Sequence, residues 1–502
     1  MEQSNRTSGA LWYGVLACWA VATGILAWRF LPNLTPDFLG VAQVFLLACL
    51  SYFLLTGVFN VVVNVWSRFL HTPNPTRRVE GTPRVALLYC TYNDFEREAA
   101  ETMRRQTHPV DVWILDDSTD PRARARVDDF ARASGARVVR RAHRIGFKAG
   151  AINGALTLLP PDVAYVAIVD ADEFLAPDFV ERCLPLFSSE DVAFVQANHR
   201  CVNTHASWFT RYLGIGVDLH WRHYQPYRNR YGVVNMLGHG AVVRRDVLES
   251  LGGFPEVTCE DLAFTVVARV AGYRGVFATD VMCGETFPED FAAMRRRHLR
   301  WSWATVEFLR RNLRPLLGSR LRVHEKLDVI LPSLNLPAVF LLVGFLVAAQ
   351  GVRWVGGAVL PFSDPVVMGL SAFASLAPLA MFADLARRPL FAAKAILVNT
   401  VAYVALFPVS ILGVLRGMAR PAEFLVTPKG RAGPLRLREA LALSRFDVAC
   451  GLLLLGVGYV GFGMWGLAQP IALSAVSAPL LIWSTRRALR SLDRRQPEAG
   501  VA

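Results

Sequence analysis

The chain has 502 residues, 53% of them hydrophobic and 19% charged, with a mean hydropathy of +0.31. A soluble domain carries about 25% charged residues, so the composition excludes a wholly water-soluble protein. Lys and Arg number 54 against 41 Asp and Glu, a formal +13, which suits nucleic acid, an anionic membrane face or a phosphorylated substrate. The eight cysteines include no CxxC pair, which argues against zinc and against a disulfide framework.

No residue is charged from Leu11 to Trp28 or from Phe38 to Trp66. Each run can cross a bilayer core of about 30 Å as a helix. The first exceeds the apolar part of an ordinary signal peptide, and no A-x-A site follows it. Residues 1–70 are therefore expected to hold two transmembrane helices. From about His71 to Lys326 the pattern changes. Short β-rich runs at Val85–Tyr89, Val110–Leu115, Ala164–Val169 and Val192–Ala197 alternate with helical or charged stretches, as in an α/β domain with a largely parallel sheet.

Apolar runs return at Val329–Gln350, Val366–Ala383, Ala395–Leu415, Val448–Ala468 and Ile471–Ser484. If all five crossed, the basic clusters at residues 416–445 and 486–495 would face away from the α/β domain, against the positive-inside rule. With Ala395–Leu415 lying in the interface or re-entering, every basic cluster is cytoplasmic. The expected layout is six crossings with both termini inside: two before a cytoplasmic domain at 71–326 and four within 327–486. An interfacial helix spans about 390–416, and residues 487–502 form a tail. Topology and anionic lipid then account for the positive charge, and nucleic acid is not needed as a partner.

In a parallel sheet a ligand sits beyond the carboxyl ends of the strands. The first strand runs into Thr91-Tyr92-Asn93-Asp94 and the second into Asp116-Asp117-Ser118. Carboxylates there can accept from a ribose or a uracil imide, or simply cap a turn. In Gly146-Phe147-Lys148-Ala149-Gly150 small residues admit a close ligand, and Lys148 can meet phosphate or ribose oxygens; a helix start with a solvated lysine is the alternative. The third strand runs into Asp170-Ala171-Asp172. Residues two apart in an extended chain point the same way, and two such carboxylates call for a hard divalent cation that also bridges a diphosphate; a bland acidic turn is the alternative.

Further on come Gly238-His239-Gly240, Glu260-Asp261 and Arg297-His298-Leu299-Arg300-Trp301. One carboxylate can take the proton from an attacking hydroxyl in an inverting sugar transfer. A tryptophan can carry a sugar ring on its face, or be an ordinary interfacial aromatic. An arginine can neutralise a departing diphosphate.

In order and spacing these motifs resemble the membrane-bound family 2 glycosyltransferases, which include the cellulose, chitin, hyaluronan and curdlan synthases, over roughly Val85 to Lys429. Phe424-Leu425-Val426-Thr427-Pro428-Lys429-Gly430 resembles the gating loop of the cellulose-synthase-like enzymes, here about 421–433. The resemblance implies a GT-A fold inserted between transmembrane helices in the cell inner (plasma) membrane. It implies an inverting transfer that polymerises a nucleotide-activated sugar, a UDP-hexose being the expected donor, into a β-linked polysaccharide extruded through the enzyme's own channel.

By the same resemblance Thr91, Tyr92, Asp94, Asp116, Asp117, Lys148, Asp170, Arg300, Thr427 and Lys429 would hold the nucleotide. Asp170 and Asp172 would hold Mg²⁺ or Mn²⁺, and Asp261 would be the base. Trp301, Gly238, His239 and Glu260 would face the acceptor. Partners would be the donor, the growing polysaccharide, membrane lipids and accessory export proteins. The family's usual Gln-x-x-Arg-Trp begins here with Arg297, as in relatives that glucosylate ceramide, so transfer of one sugar to a membrane lipid is the alternative. A channel or transporter with a regulatory domain is disfavoured, because transport sites place ionisable groups within the spans and these runs contain almost none.

Overall fold

The computed structural model describes residues 7–69, 74–423, 435–462 and 468–493. The expected gating loop therefore falls almost wholly outside the described residues, and so do Thr427 and Lys429. Eight strands form one mixed, mainly parallel sheet: β1 (Arg84–Thr91), β2 (Val110–Asp116), β3 (Arg137–Val139), β4 (Val163–Asp170), β5 (Glu173–Leu175), β6 (Val192–Cys201), β7 (Ala241–Arg244) and β8 (Arg274–Glu285), in the order β3-β2-β1-β4-β7-β6-β8-β5. The four β-rich runs of the sequence are β1, β2, β4 and β6. β1 pairs in parallel with β2 and β4. β7 enters antiparallel between β4 and β6, and β6 and β8 run parallel.

The central strands read as unbroken apolar runs because both faces are covered. Val85, Leu87 and Tyr89 point into one core with Phe95, Val127 and Phe130. Ala86 and Leu88 point into the other with Ile152, Phe264 and Phe277. The carboxyl ends of β1, β2 and β4 are thereby held side by side.

Three helical segments of the described residues, Ala10–Asn33, Phe38–Phe69 and Pro365–Leu385, are long and apolar enough to cross a membrane. Two bent pairs would bring the number to five: Val323–Leu334 with Val339–Trp354, at 69°, and Pro389–Val404 with Phe407–Ala419, at 40°. The expected span Val329–Gln350 is thus broken, at a stretch bounded by Pro332 and Pro337 that cannot continue the helical hydrogen-bond ladder. The Val448–Ala468 run lies partly outside the described residues.

Specific polar contacts fix the α/β domain to these helices. Ser67, at the end of the Phe38–Phe69 helix, bonds His223 Nδ1 at 2.7 Å, and His223 Nε2 meets Asp384 at 3.0 Å. Arg68 closes on the same carboxylate at 2.9 Å. Asp328 is fully buried and accepts from Val233 N–H at 2.8 Å and from the Tyr227 hydroxyl, with Arg228 Nε at 3.3 Å.

Removing one partner of a buried ion pair costs about 3–5 kcal/mol, because the other charge stays buried alone. Asp328→Ala strands both Arg228 and the Val233 N–H. Its expected signature is a clear drop in the thermal unfolding midpoint of the purified protein, larger than that of Asp328→Asn, which keeps an acceptor for the N–H.

Candidate active site

At the carboxyl ends of β1, β2 and β4 lies a cleft of about 480 Å³. Its walls carry Thr91, Tyr92, Asp94, Asp117, Lys148, Asp170, Asp172, Gly238, His239, Glu260, Asp261, Arg300 and Trp301. The structure thus brings together every site residue expected from the sequence except Asp116 and the two outside the described residues.

On the first wall, Asp94 Oδ1 accepts from Thr91 Oγ1 at 2.9 Å and from Tyr92 N–H at 2.8 Å. Asn93, at φ +63, accepts through Oδ1 from the N–H groups of Thr119 and Asp120, at 2.9 and 2.8 Å, and so joins the ends of β1 and β2. Asp117 is gripped by Arg141 through Oδ1 and Oδ2 at 2.8 and 2.7 Å. Arg144 lies over the Tyr92 ring at 3.6 Å.

Asp116 corrects the sequence-based expectation. Its side chain is fully buried, accepts from Ser118 N–H at 2.9 Å and pairs with Arg140 at 2.7 Å. Neighbours along a strand point to opposite sides, so only the second of the two aspartates reaches the cleft.

Lys148 lies in the first turn of the helix Phe147–Leu156, but it is not the solvated lysine of the alternative reading. Its ammonium pairs with Asp170 and donates to Gly238 O at 2.8 Å. Burial works against its charge, and the Asp170 carboxylate outweighs that and holds it protonated. Asp170 ends β4, whereas Asp172 lies beyond it in a turn and accepts from Thr286 Oγ1 at 2.8 Å. The two carboxylates line the same cleft from different local partners, because the chain turns between them rather than running extended.

Glu260 and Asp261 open the helix Glu260–Val270, where the N-terminal dipole favours negative charge. Burial raises both carboxyls, and the Asp261 charge raises Glu260 further. Asp261 is drawn back by the Leu262 N–H, Lys148 and His239. Both carboxyls are thus held above the ordinary carboxylate range by burial, and Asp261 is the one that a backbone N–H, Lys148 and His239 draw back toward its charged form. Gly238, at φ +87, passes so close that a Cβ would stand 3.2 Å from Asp261 Oδ2. Gln196 fixes this loop by accepting from Leu237 N–H at 2.9 Å and donating to His239 O at 2.9 Å.

Sequence reasoning missed the group behind His239. Glu173, fully buried, faces His239 Nδ1 at 3.3 Å and His199 Nε2 at 3.7 Å, while His199 Nδ1 meets Glu285 at 3.4 Å. Burial depresses the His239 imidazole, yet the Glu173 charge lifts it to about 10. Glu285 falls to about 2, because His199, His239 and Arg297 outweigh its burial. The ligand atoms of Glu173, His199 and His239 lie within 4.8 Å of one another, a donor set that could hold a metal ion. Only the Asp-Glu run after β4 and the Gly-His-Gly turn hinted at it.

The helix Phe291–Gly318 closes the cleft with Arg297, Arg300 and Trp301 and packs its other side on the helix Phe407–Ala419. His298 bonds Ser410 at 2.7 Å, and a Cβ on Gly413 would stand 2.5 Å from Ser302 Cβ. At the rim Thr258 donates to Ala422 O at 3.1 Å.

The sheet and cleft agree with what comparison with known proteins finds. The family model described as "Glycosyl transferase family group 2" matches residues 165–415, and the chain belongs to that family of glycosyltransferases. It is 28% identical over 333 residues to a protein named probable glucomannan 4-beta-mannosyltransferase 15 of Arabidopsis thaliana, covering 60% of this chain and 62% of that one. It is 32% identical over 213 residues to probable glucomannan 4-beta-mannosyltransferase 9 of Oryza sativa subsp. japonica, covering 41% and 40%. The chain thus spans less than two thirds of the length of these relatives. The solved structure of the mannosyltransferase PcManGT from Pyrobaculum calidifontis, in complex with GDP-Man and Mn²⁺, shares the fold with a TM-score of 0.53 at 19% identity, over 75% of this chain and 99% of that one.

The two adjacent aspartates should separate cleanly. A charge-assisted hydrogen bond contributes about 1.5–3 kcal/mol, so Asp117→Asn should weaken nucleoside diphosphate binding about tenfold or more in calorimetric titration. Asp116→Asn should leave that affinity within about threefold, since its side chain does not reach the cleft, and instead lower the unfolding midpoint through the lost Arg140 pair.

Proposed function

We propose that the chain is an inverting, metal-dependent glycosyltransferase that polymerises a nucleotide-activated hexose into a β-linked polysaccharide and extrudes it through its own membrane helices. The observation that carries this reading is the carboxyl pair at Glu260 and Asp261. Two adjacent carboxyls open one helix on the cleft wall and burial raises both, while the Leu262 N–H, Lys148 and His239 favour the charged form of Asp261, beside which the Gly238 backbone passes closely. Acceptor hydroxyl and donor sugar would meet there. Asp261 takes the hydroxyl proton, the oxygen attacks C1 from the face opposite the diphosphate, and the C1–O bond to the leaving group breaks with inversion. Lys148 and Arg300 supply positive charge to the departing diphosphate.

The cleft fits a divalent cation. Nine acidic residues line it against Arg144, Lys148, Arg297 and Arg300, and a diphosphate entering such a site needs added positive charge. Asp170 and Asp172 would hold Mg²⁺ or Mn²⁺, with Glu173, His199 and His239 as a second donor set. When bound, the ion neutralises diphosphate charge.

UDP-hexoses are the first donors to test, and GDP-mannose joins them because the relatives are named mannosyltransferases and the solved relative holds GDP-Man. Six crossings with a cytoplasmic cleft remain the proposed topology. The packing of Phe407–Ala419 along the domain's own helix Phe291–Gly318 supports an interfacial place for residues 390–416. Ala422, held at the cleft rim by Thr258, leads directly into the proposed gating segment and supports a contact of Thr427 and Lys429 with the donor. Transfer of one sugar to a lipid is the second reading, favoured by Arg297 in the place of the family's glutamine.

The test is incubation of the purified full chain with UDP-glucose, UDP-GlcNAc and GDP-mannose and either Mg²⁺ or Mn²⁺, with product length and linkage analysed. Long β-linked polymer supports synthesis; a single glycolipid supports the second reading; no transfer from any donor contradicts both. Asp261→Asn should cost about 10²–10⁴-fold in rate with nucleotide binding retained. Glu260→Gln keeps the neutral state of that side chain and should cost about tenfold or less. Because burial lifts the Asp261 carboxyl above its ordinary value of 3.8, lowering the pH protonates the base early. The acid limb of kcat/KM should therefore lie above that of an exposed aspartate.

A further inference from the structure

Two arginines on the helix Phe291–Gly318 line the cleft, three residues apart. Arg300 lies beside the groups assigned to the donor, since the Asp170 charge acts on it. Arg297 stands differently. It is 8% exposed, and its guanidinium lies over the Trp301 ring at 4.6 Å and the Phe287 ring at 5.7 Å, both cleft residues. Among the described residues it has no ion-pair partner and no hydrogen-bond acceptor. The carboxylate of Glu285, on the same cleft wall, is taken up by His199 at 3.4 Å.

A guanidinium carries five N–H donors in a planar fork. Aromatic faces satisfy its charge in part, but they accept none of those donors in the plane of the fork. The Glu285 carboxylate acts on Arg297 only through space, without a direct pair, and a buried guanidinium whose N–H donors are unmet is costly, so in a cleft it marks a place where a ligand can supply the acceptors. The fork suits two oxygens of one oxyanion, as in a carboxylate or a phosphate. Trp301 follows at i+4 on the same helical face, so the oxyanion would sit next to whatever sugar or chain rests on that ring.

We propose that Arg297 is a specificity-determining residue that recognises an anionic group, carboxylate or phosphate, on the acceptor. The inference rests on the reading above that Trp301 supports the acceptor. The anion would be carried either by an acidic sugar at the chain end or by the phosphate of a lipid acceptor. A neutral acceptor would leave the Arg297 donors unmet and bind more weakly.

Binding of four probes to the full chain in detergent micelles tests this by calorimetric titration: methyl β-D-glucuronoside against methyl β-D-glucopyranoside, and decyl phosphate against decyl β-D-glucopyranoside. In at least one pair the anionic probe should bind about tenfold or more tightly than its neutral counterpart. That preference should shrink to about twofold or less in Arg297→Gln and partly return in Arg297→Lys, which restores the charge without the fork. A preference confined to the glucuronoside identifies an acidic sugar end, and one confined to decyl phosphate identifies a lipid phosphate. Equal binding within both pairs by the unaltered protein overturns the proposal, as does a preference that survives Arg297→Gln. So does an Arg297→Gln variant that loses UDP or GDP affinity while its probe preference is unchanged, since Arg297 then serves the donor. These titrations need no turnover, so failure of the sugar-transfer reading appears in the donor incubations and not here.

Discussion

Charge balance in one cleft is the constraint on which the rest of the site depends. Nine acidic residues reach its walls from strand ends, turns and a helix start. Like charges held this close raise one another's pKa or must be neutralised. The chain uses both remedies. Lys148 answers Asp170, the Arg141 fork answers Asp117, and His239 answers Glu173. At Glu260 burial and the Asp261 charge outweigh Lys148 and hold the carboxyl above its ordinary range. At Asp261 burial is opposed by a backbone N–H, Lys148 and His239. If Asp261 is the base, as proposed, its surroundings distinguish it from Glu260 next to it.

The same cleft is built into the membrane-associated part of the chain. The helix Phe291–Gly318 shows Arg297, Arg300 and Trp301 to the cleft and His298, Ser302 and Val306 to the helix Phe407–Ala419. Small residues let the two helices approach, so a shift of one is felt by the other. On the opposite side Asp384 collects Arg68 and His223, and Ser67 completes the tie. Under the proposed synthesis, such contacts would keep the cleft beside the bilayer as the product end moves from one to the other. They are equally suited to an acceptor that arrives from the bilayer.

Much of this was legible in the residues. β1, β2, β4 and β6 are buried on both faces and read as continuous apolar runs. β3, β5 and β7, of three or four residues, are too short to carry a pattern, and the antiparallel entry of β7 depends on pairings between residues far apart in sequence. Motif order located nearly all of the cleft. It could not choose between Asp116 and Asp117, because which face a strand-end residue takes is set by register. It also missed Glu173, His199 and Glu285, which become one group only when β5, β6 and β8 are brought together. The Asp-Ala-Asp pair lies on the cleft, but the chain turns after β4, a feature that spacing alone does not encode.

The most direct test of the central claim is an experimental structure of the full chain with a nucleoside diphosphate and Mn²⁺. The diphosphate should lie in the cleft within reach of Lys148 and Arg300, with the ion at Asp170 and Asp172 and Asp261 facing the free end of the diphosphate, where the sugar would be. A nucleotide bound elsewhere on the chain, or bound in the cleft with Asp261 turned away from that end, would contradict it.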